Sequence, residues 1–166
     1  MRFFSSLLFA FIASLCASAA DSYEPVAEAS AMIREGKAEC VLIREGKIVY
    51  VERGRGVSPL LNVYDQHKDE MKGGVVVDKV IGRAAACIAI CAKVTHVHGE
   101  VMSEDAVEFL KENGITASST LLVPRILNRK RDGLCPLEKS VEGITDPEKA
   151  LVSLRAKIEA LKSGRN

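Results

Sequence analysis

The sequence carries almost no net charge: 23 Lys and Arg stand against 22 Asp and Glu, interspersed along the chain. That balance leaves no electrostatic footprint for a nucleic acid or an anionic membrane surface, so neither is expected as a partner. Tryptophan is absent. Beyond the first residues no apolar run approaches the roughly 20 residues that a transmembrane helix needs. There is no Walker A loop, no G-x-G-x-x-G, no G-x-S-x-G elbow and no H-E-x-x-H, so the usual signatures of nucleotide, dinucleotide, esterase and zinc-protease sites are missing and no cofactor is implied. No low-complexity linker or second domain interrupts the chain.

What is present begins with a leader. Arg2 is followed by the apolar run Leu7-Leu8-Phe9-Ala10-Phe11-Ile12 and by Ala17-Ser18-Ala19, an A-x-A site. This is the anatomy of a secretory signal peptide over residues 1–19, with cleavage expected after Ala19 and export to the periplasm or the medium. Cys16 offers a lipoprotein alternative, but Leu15 before it is bulky where such sites take a small residue. Without Arg2 the mature chain has 22 charges of each sign. Its length suits one domain with a proper core.

Periodicity then gives the elements. A helix is expected from Tyr23 to Glu35, stopping at Gly36. Cys40 to Ile43 and Ile48 to Glu52 read as strands of a hairpin turning at Arg44-Glu45-Gly46-Lys47. Ser58, as cap, and Pro59 open a helix with the stripe Leu60, Tyr64, His67 and Met71. Val75-Val76-Val77 is a short buried strand. Asp78 then caps a helix from Lys79 to about Ala92 that is apolar nearly all round and therefore central. Val94 to Met102 is a strand, and Ser103-Glu104-Asp105 starts a helix ending at Asn113-Gly114. Thr120 to Val123 is a strand. Asp132 to Pro136 is a turn, and a last helix after Asp146-Pro147 carries Leu151, Leu154, Ile158 and Leu161. This order predicts a three-layer α/β fold.

Four features have chemical potential. His96, His98 and Glu100 alternate along a strand and share a face, as a metal site with an open position would require. The plainer reading makes them the solvent-facing half of a strand with Val97 and Val101 inward. His98-Gly99-Glu100 is also a literal H-x-E, which zinc deaminases pair with a later P-C-x-x-C. Here Cys87-x-x-x-Cys91 comes earlier with the wrong spacing, and Cys135-Pro136 supplies one thiol, so the match is read as chance. Cys40, Cys87, Cys91 and Cys135 are even in number and free to pair after export, but their apolar surroundings favour packing.

The third feature is Asp78, Lys79, Gly82 and Arg83, where a helix starting after a buried strand offers N–H groups to an anion. The fourth is Asn128, Arg129, Asp132, Cys135 and Glu138, polar and turn residues placed late in the domain. A helix start with Pro136 at N1 and Glu138 at N3 is the alternative. Cys135 has no evident base nearby for a catalytic thiol.

Three blocks occur in order: Gly56-Val57-Ser58-Pro59-Leu60-Leu61; Val76-Val77-Asp78-Lys79-Val80-Ile81-Gly82-Arg83-Ala84-Ala85-Ala86; and Asn128-Arg129 with Gly133-Leu134-Cys135-Pro136-Leu137-Glu138. Together, over about residues 29–141, they resemble a small family of bacterial and archaeal proteins defined as a domain of unknown function. The resemblance implies a cytidine-deaminase-like fold, a mixed sheet with helices on both faces, in which the zinc-binding and proton-shuttling residues of true deaminases are absent. On this reading residues 20–141 are the deaminase-like domain and 142–166 a C-terminal helical extension. The expected function is a non-zinc binding domain for a small anionic metabolite or nucleotide, held by Asp78, Lys79, Gly82 and Arg83 with Asn128, Arg129, Asp132, Cys135 and Glu138 opposite. The alternatives are an enzyme using Cys135 or a His96/His98/Glu100 metal site, and an interaction module or homo-oligomer using the last helix.

Overall fold

The computed structural model describes residues 24–164. The expected leader lies outside the described residues. Helix α1 spans 24–34 and buries Val26, Ala29, Ser30 and Ile33, the i, i+3, i+4, i+7 spacing of a one-faced helix. Strands β1 (Cys40–Arg44) and β2 (Lys47–Glu52) form the expected hairpin. Glu45 and Gly46 both have positive φ, 51° and 72°, the handedness that a two-residue turn between twisted strands demands. Helix α2 (Ser58–Met71) starts one residue earlier than its predicted cap implies. Val57 is the N-cap, without a side-chain hydrogen bond, and Ser58 is already helical. The stripe Leu60, Tyr64, Met71 is buried, but His67 breaks it. Its backbone is non-helical (φ −136°, ψ 29°) and its ring stacks on Tyr50 with centroids 3.7 Å apart.

The larger correction concerns Asp78. It caps no helix: β3 runs on through it, from Val75 to Ile81. Val80 and Ile81 pair with Val101 and Met102 of β4 (His96–Ser103), and β-branched residues in a parallel ladder outweigh a single cap signal. The chain turns at Gly82, the N-cap of α3 (Arg83–Cys91). Lys79 and Arg83 therefore do not share a helix face. Lys79 projects from the strand and pairs with Glu39 at 2.8 Å.

Helix α4 (Glu104–Glu112) follows, then β5 (Thr116–Val123), which begins four residues before the expected start at Thr120. Short helix α5 (Pro136–Val141) and α6 (Pro147–Lys162) complete the chain. The strand order is β2-β1-β3-β4-β5; β1 is antiparallel to both neighbours, and β3, β4 and β5 are parallel.

Two cores flank this sheet. On one face Leu42, Val76 and Val97 meet α2, α3 and α4, and α3 is further covered by α5 and α6. On the other face Val41, Ile43 and Val77 meet α1 alone. The result is the expected mixed sheet with helices on both faces. Helix α3 is buried through most of its length, as its all-round apolar character predicts. Leu151 and Leu154 of α6 lie in the same core. All four described cysteines are free, with Cys40 and Cys87 buried. No described helix is long and apolar enough to cross a membrane.

Ser103 shows how a local signal survives folding. Its hydroxyl accepts the Ala106 N–H at 3.2 Å, and the residue is buried where β4 passes into α4. Ser103→Ala is expected to cost about 1–2 kcal/mol in urea unfolding, because no water reaches the orphaned N–H.

Candidate functional site

Two clefts contain the residues with chemical potential. The first lies beyond the carboxyl ends of the parallel strands, the usual ligand position in open α/β sheets. It measures about 370 Å³ and is bordered by Ser103, Pro124, Arg125 and the acids Glu104, Asp105, Glu108, Glu138 and Glu142. Five carboxylates against one guanidinium make it an acidic cleft.

Glu138 is the best-placed of these acids. Its carboxylate accepts the Arg83 N–H at 2.8 Å and the Ala84 N–H at 3.0 Å, so it bridges the start of α3 from a distant segment. The position expected to receive an anion is thus filled by the chain's own carboxylate, which the free N–H groups and the helix dipole favour. Burial raises the Glu138 pKa above the ordinary range, while the two N–H bonds oppose that shift. Gly82 leaves the space: a Cβ there would lie 2.4 Å from Glu138 Oε1.

The Arg83 side chain points away along α4. It binds Asp105 Oδ1 and the Ile144 carbonyl, each at 2.8 Å, and stacks over Phe109 with its guanidinium carbon 3.9 Å from the ring centroid.

The other predicted residues are dispersed. Asp78 is buried in the sheet beside Cys40, and burial lifts its pKa to about 7. Asn128 and Asp132 bind each other across a surface turn at 2.7 Å, and Arg129 is exposed within that turn. Cys135 is the N-cap of α5, its N–H donating to the Ile126 carbonyl. Pro136 and Glu138 do occupy the first turn of α5. Of the nine residues expected around an anion, only Glu138 borders the cleft.

Zinc, the metal of true deaminases, does not fit the start of α3. Gly82, Arg83 and Ala84 stand there, none of them a ligand, and the Cys87 thiol one turn on donates to the Ala84 carbonyl. Among the described residues no group of three or more His, Cys, Asp or Glu is arranged to hold a metal.

The second cleft, about 430 Å³, lies between α1 and the parallel half of the sheet. The alternation in β4 does bring His96, His98 and Glu100 to one face, but they are not solvent-facing. They are half-buried under α1, with the His98 and Glu100 side chains 14% and 11% exposed. Val97 is buried on the opposite face, as expected. Parallel pairing sets Ser118 of β5 opposite His98. The Ser118 hydroxyl lies 2.7 Å from His96 Nε2 and 2.9 Å from His98 Nδ1. His98 Nε2 is 4.0 Å from Glu100 Oε1. Glu100 in turn accepts the Ser30 hydroxyl of α1 and pairs with Arg34 at 3.3 Å.

Both imidazoles are held below their ordinary pKa. For His96 burial is the main cause and the neighbouring His98 adds to it. For His98 burial again leads, Glu100 opposes it and Arg34 reinforces it. Both shifts favour the neutral ring, which carries a lone pair able to accept a proton. Ser118, Ser30 and Arg34 are the contributors that the sequence did not signal.

Comparison with known proteins agrees with the architecture. The crystal structure of a DUF1893 family protein, TM1506 of Thermotoga maritima, superposes with a TM-score of 0.72 at 25% identity, covering 81% of this chain and 90% of that one. Two forms of Acinetobacter baumannii RibD superpose with TM-scores of 0.47 and 0.44 at 14% and 15% identity. They cover 61% and 87% of this chain but only 35% and 40% of their own. No curated protein is significantly similar in sequence. The model of the family described as "Domain of unknown function (DUF1893)" matches residues 28–158. That span takes in all five strands and most of α6, and on its extent the chain belongs to the DUF1893 family.

Proposed function

We propose that the chain is a binding domain for a small anionic metabolite or nucleotide, and that the ligand occupies the cleft between α1 and strands β4 and β5. The observation that carries the reading is the convergence of hydrogen-bonding groups there: Arg34, His96, His98 and Ser118 border one open cleft. Its volume of about 430 Å³ suits a small ligand. Arg34 contacts Ser30 and Glu100 through Nη1, and a guanidinium has five N–H donors, enough to engage an anion as well. The imidazoles gain protons readily beside a negative ligand. The first cleft is the poorer site for an anion, since its acids repel negative charge and Glu138 already holds the α3 N–H groups.

AMP and inorganic phosphate are the first probes, read by thermal unfolding. AMP at about 100 times its Kd adds roughly 2.7 kcal/mol, a rise of several degrees in Tm. Arg34→Gln should remove most of that rise while shifting the unliganded Tm little, because Arg34 is half-exposed and exposed ion pairs contribute little. No rise with either probe, or an equal rise in Arg34→Gln, would sink the proposal.

A further inference from the structure

We propose that Ser118 is a nucleophile and that the α1-side cleft hydrolyses acyl esters of small anionic compounds. The proposal rests on the binding reading above only for the negative charge of the substrate; the chemistry is argued from the side chains themselves. A serine hydroxyl donates one hydrogen and accepts with its lone pairs. Ser118 Oγ has an imidazole nitrogen on each side, at 2.7 and 2.9 Å, so one ring takes its hydrogen and the other donates to it.

The charge of Glu100 favours one of the two assignments. Glu100 Oε1 lies 4.0 Å from His98 Nε2, beyond hydrogen-bond length, and its negative charge favours the tautomer with the hydrogen on that nitrogen, which leaves Nδ1 as the acceptor towards Ser118. Ser118 and His98 are thus a hydrogen-bonded hydroxyl and base at 2.9 Å with the Glu100 carboxylate 4.0 Å beyond the ring, the set of groups by which an activated hydroxyl is recognised regardless of sequence order. Glu100 is itself fixed by Ser30 and Arg34 from α1. His96 carries its hydrogen on Nε2 in this arrangement and points it at the hydroxyl oxygen. It therefore holds the Ser118 oxygen in place from the side opposite the base. Ser118 lies within strand β5, outside any G-x-S-x-G elbow, which is why no motif betrays it.

The step balances without a further reagent. Ser118 Oγ bonds to the ester carbonyl carbon as its proton moves to His98 Nδ1. The bond from that carbon to the alkoxy oxygen then breaks, and the leaving alcohol takes the proton from His98. Water, deprotonated by the same ring, attacks the acyl-serine, releases the acid and restores the hydroxyl. Ester and water give acid and alcohol.

The test is labelling of the full chain with a short-chain alkyl fluorophosphonate, read by intact mass and peptide mapping. One adduct per chain at Ser118 is expected. It should be absent in Ser118→Ala, formed about 100-fold or more slowly in His98→Gln, and accompanied by hydrolysis of p-nitrophenyl acetate with the same ranking. Ser118→Cys guards against a misfolded histidine variant: its thiol should react with iodoacetamide at pH 7 much faster than Cys135, which is also partly exposed. No adduct at Ser118, labelling equally fast in a folded His98→Gln, or a thiol in Ser118→Cys no more reactive than Cys135 overturns the proposal. The AMP-induced Tm rise of the unlabelled wild type separates the two readings. A rise without an adduct ends the nucleophile and leaves the binding site. An adduct without a rise ends the anion reading and leaves the nucleophile.

Discussion

Gly82→Ala is expected to destabilise the domain by about 3 kcal/mol or more, a large share of the 5–15 kcal/mol typical of a folded domain. The reason is not backbone freedom. Gly82 has φ −104° and ψ −176°, extended geometry open to any residue. A Cβ would instead lie 2.4 to 2.6 Å from the carboxylate carbon and oxygens of Glu138. Glu138 cannot step aside cheaply, because it is 8% exposed and its two oxygens hold the Arg83 and Ala84 N–H groups. Moving it strands two buried donors at the start of the central helix, and each unsatisfied donor costs about 1–3 kcal/mol.

Glu138→Ala alone should therefore cost about 2–3 kcal/mol. The informative measurement is the double-mutant cycle by urea unfolding. If the two residues act through one contact, Gly82→Ala should cost far less when Glu138 is already alanine, an interaction energy of about 1–2 kcal/mol or more. Additive losses would show that Gly82 is needed for some other reason.

That pair also shows where sequence reasoning reaches its limit. Glu138 follows Pro136 in the pattern of a helix first turn, and it does lie in the first turn of α5. Its carboxylate nonetheless serves a different helix, 54 and 55 residues earlier. No local pattern encodes that choice. Signals confined to a few residues fared better: the Ser103 cap, the Glu45-Gly46 turn and the Asp146 cap, whose carboxylate accepts the Glu148 and Lys149 N–H groups, are all where their residue types predict.

The β3–α3 boundary was harder because two local signals compete. Asp78 reads as a cap, while the β-branched Val80 and Ile81 behind it suit a strand as well as a helix, and the neighbouring strand β4 decides between them. The α1-side cleft was half legible. Alternation in β4 correctly puts His96, His98 and Glu100 on one face. That α1 covers this face, and that pairing brings Ser118 to the two imidazoles, are consequences of register and topology.

The second large effect follows from Asp78, placed inside the sheet by the same extension of β3. Its carboxyl is buried beside Cys40, and burial raises its pKa from 3.8 to about 7 despite hydrogen bonds from the Val80 N–H and the Cys40 thiol. A carboxyl with a raised folded-state pKa binds its proton more tightly folded than unfolded. Its contribution is therefore complete below the ordinary pKa near 4 and is lost as pH rises through about 7. The ceiling on the loss is about 4 kcal/mol, from roughly three pH units at 1.36 kcal/mol each.

Asp78→Asn keeps the shape and the oxygen that accepts the Val80 N–H but cannot ionise. At pH 5 the variant should be equal to the wild type or up to about 1 kcal/mol less stable, since the amide meets the Cys40 sulfur in place of a matched acceptor. At pH 8.5 it should be more stable than the wild type by about 1–3 kcal/mol. His96 and His98 titrate in the opposite sense, their lowered pKa values adding stability as pH rises, but they are common to both chains and cancel in the difference. Urea unfolding of the pair at the two pH values measures that difference directly. A gap independent of pH would mean that Asp78 is charged throughout the range, solvated or paired well enough within the sheet to offset its burial.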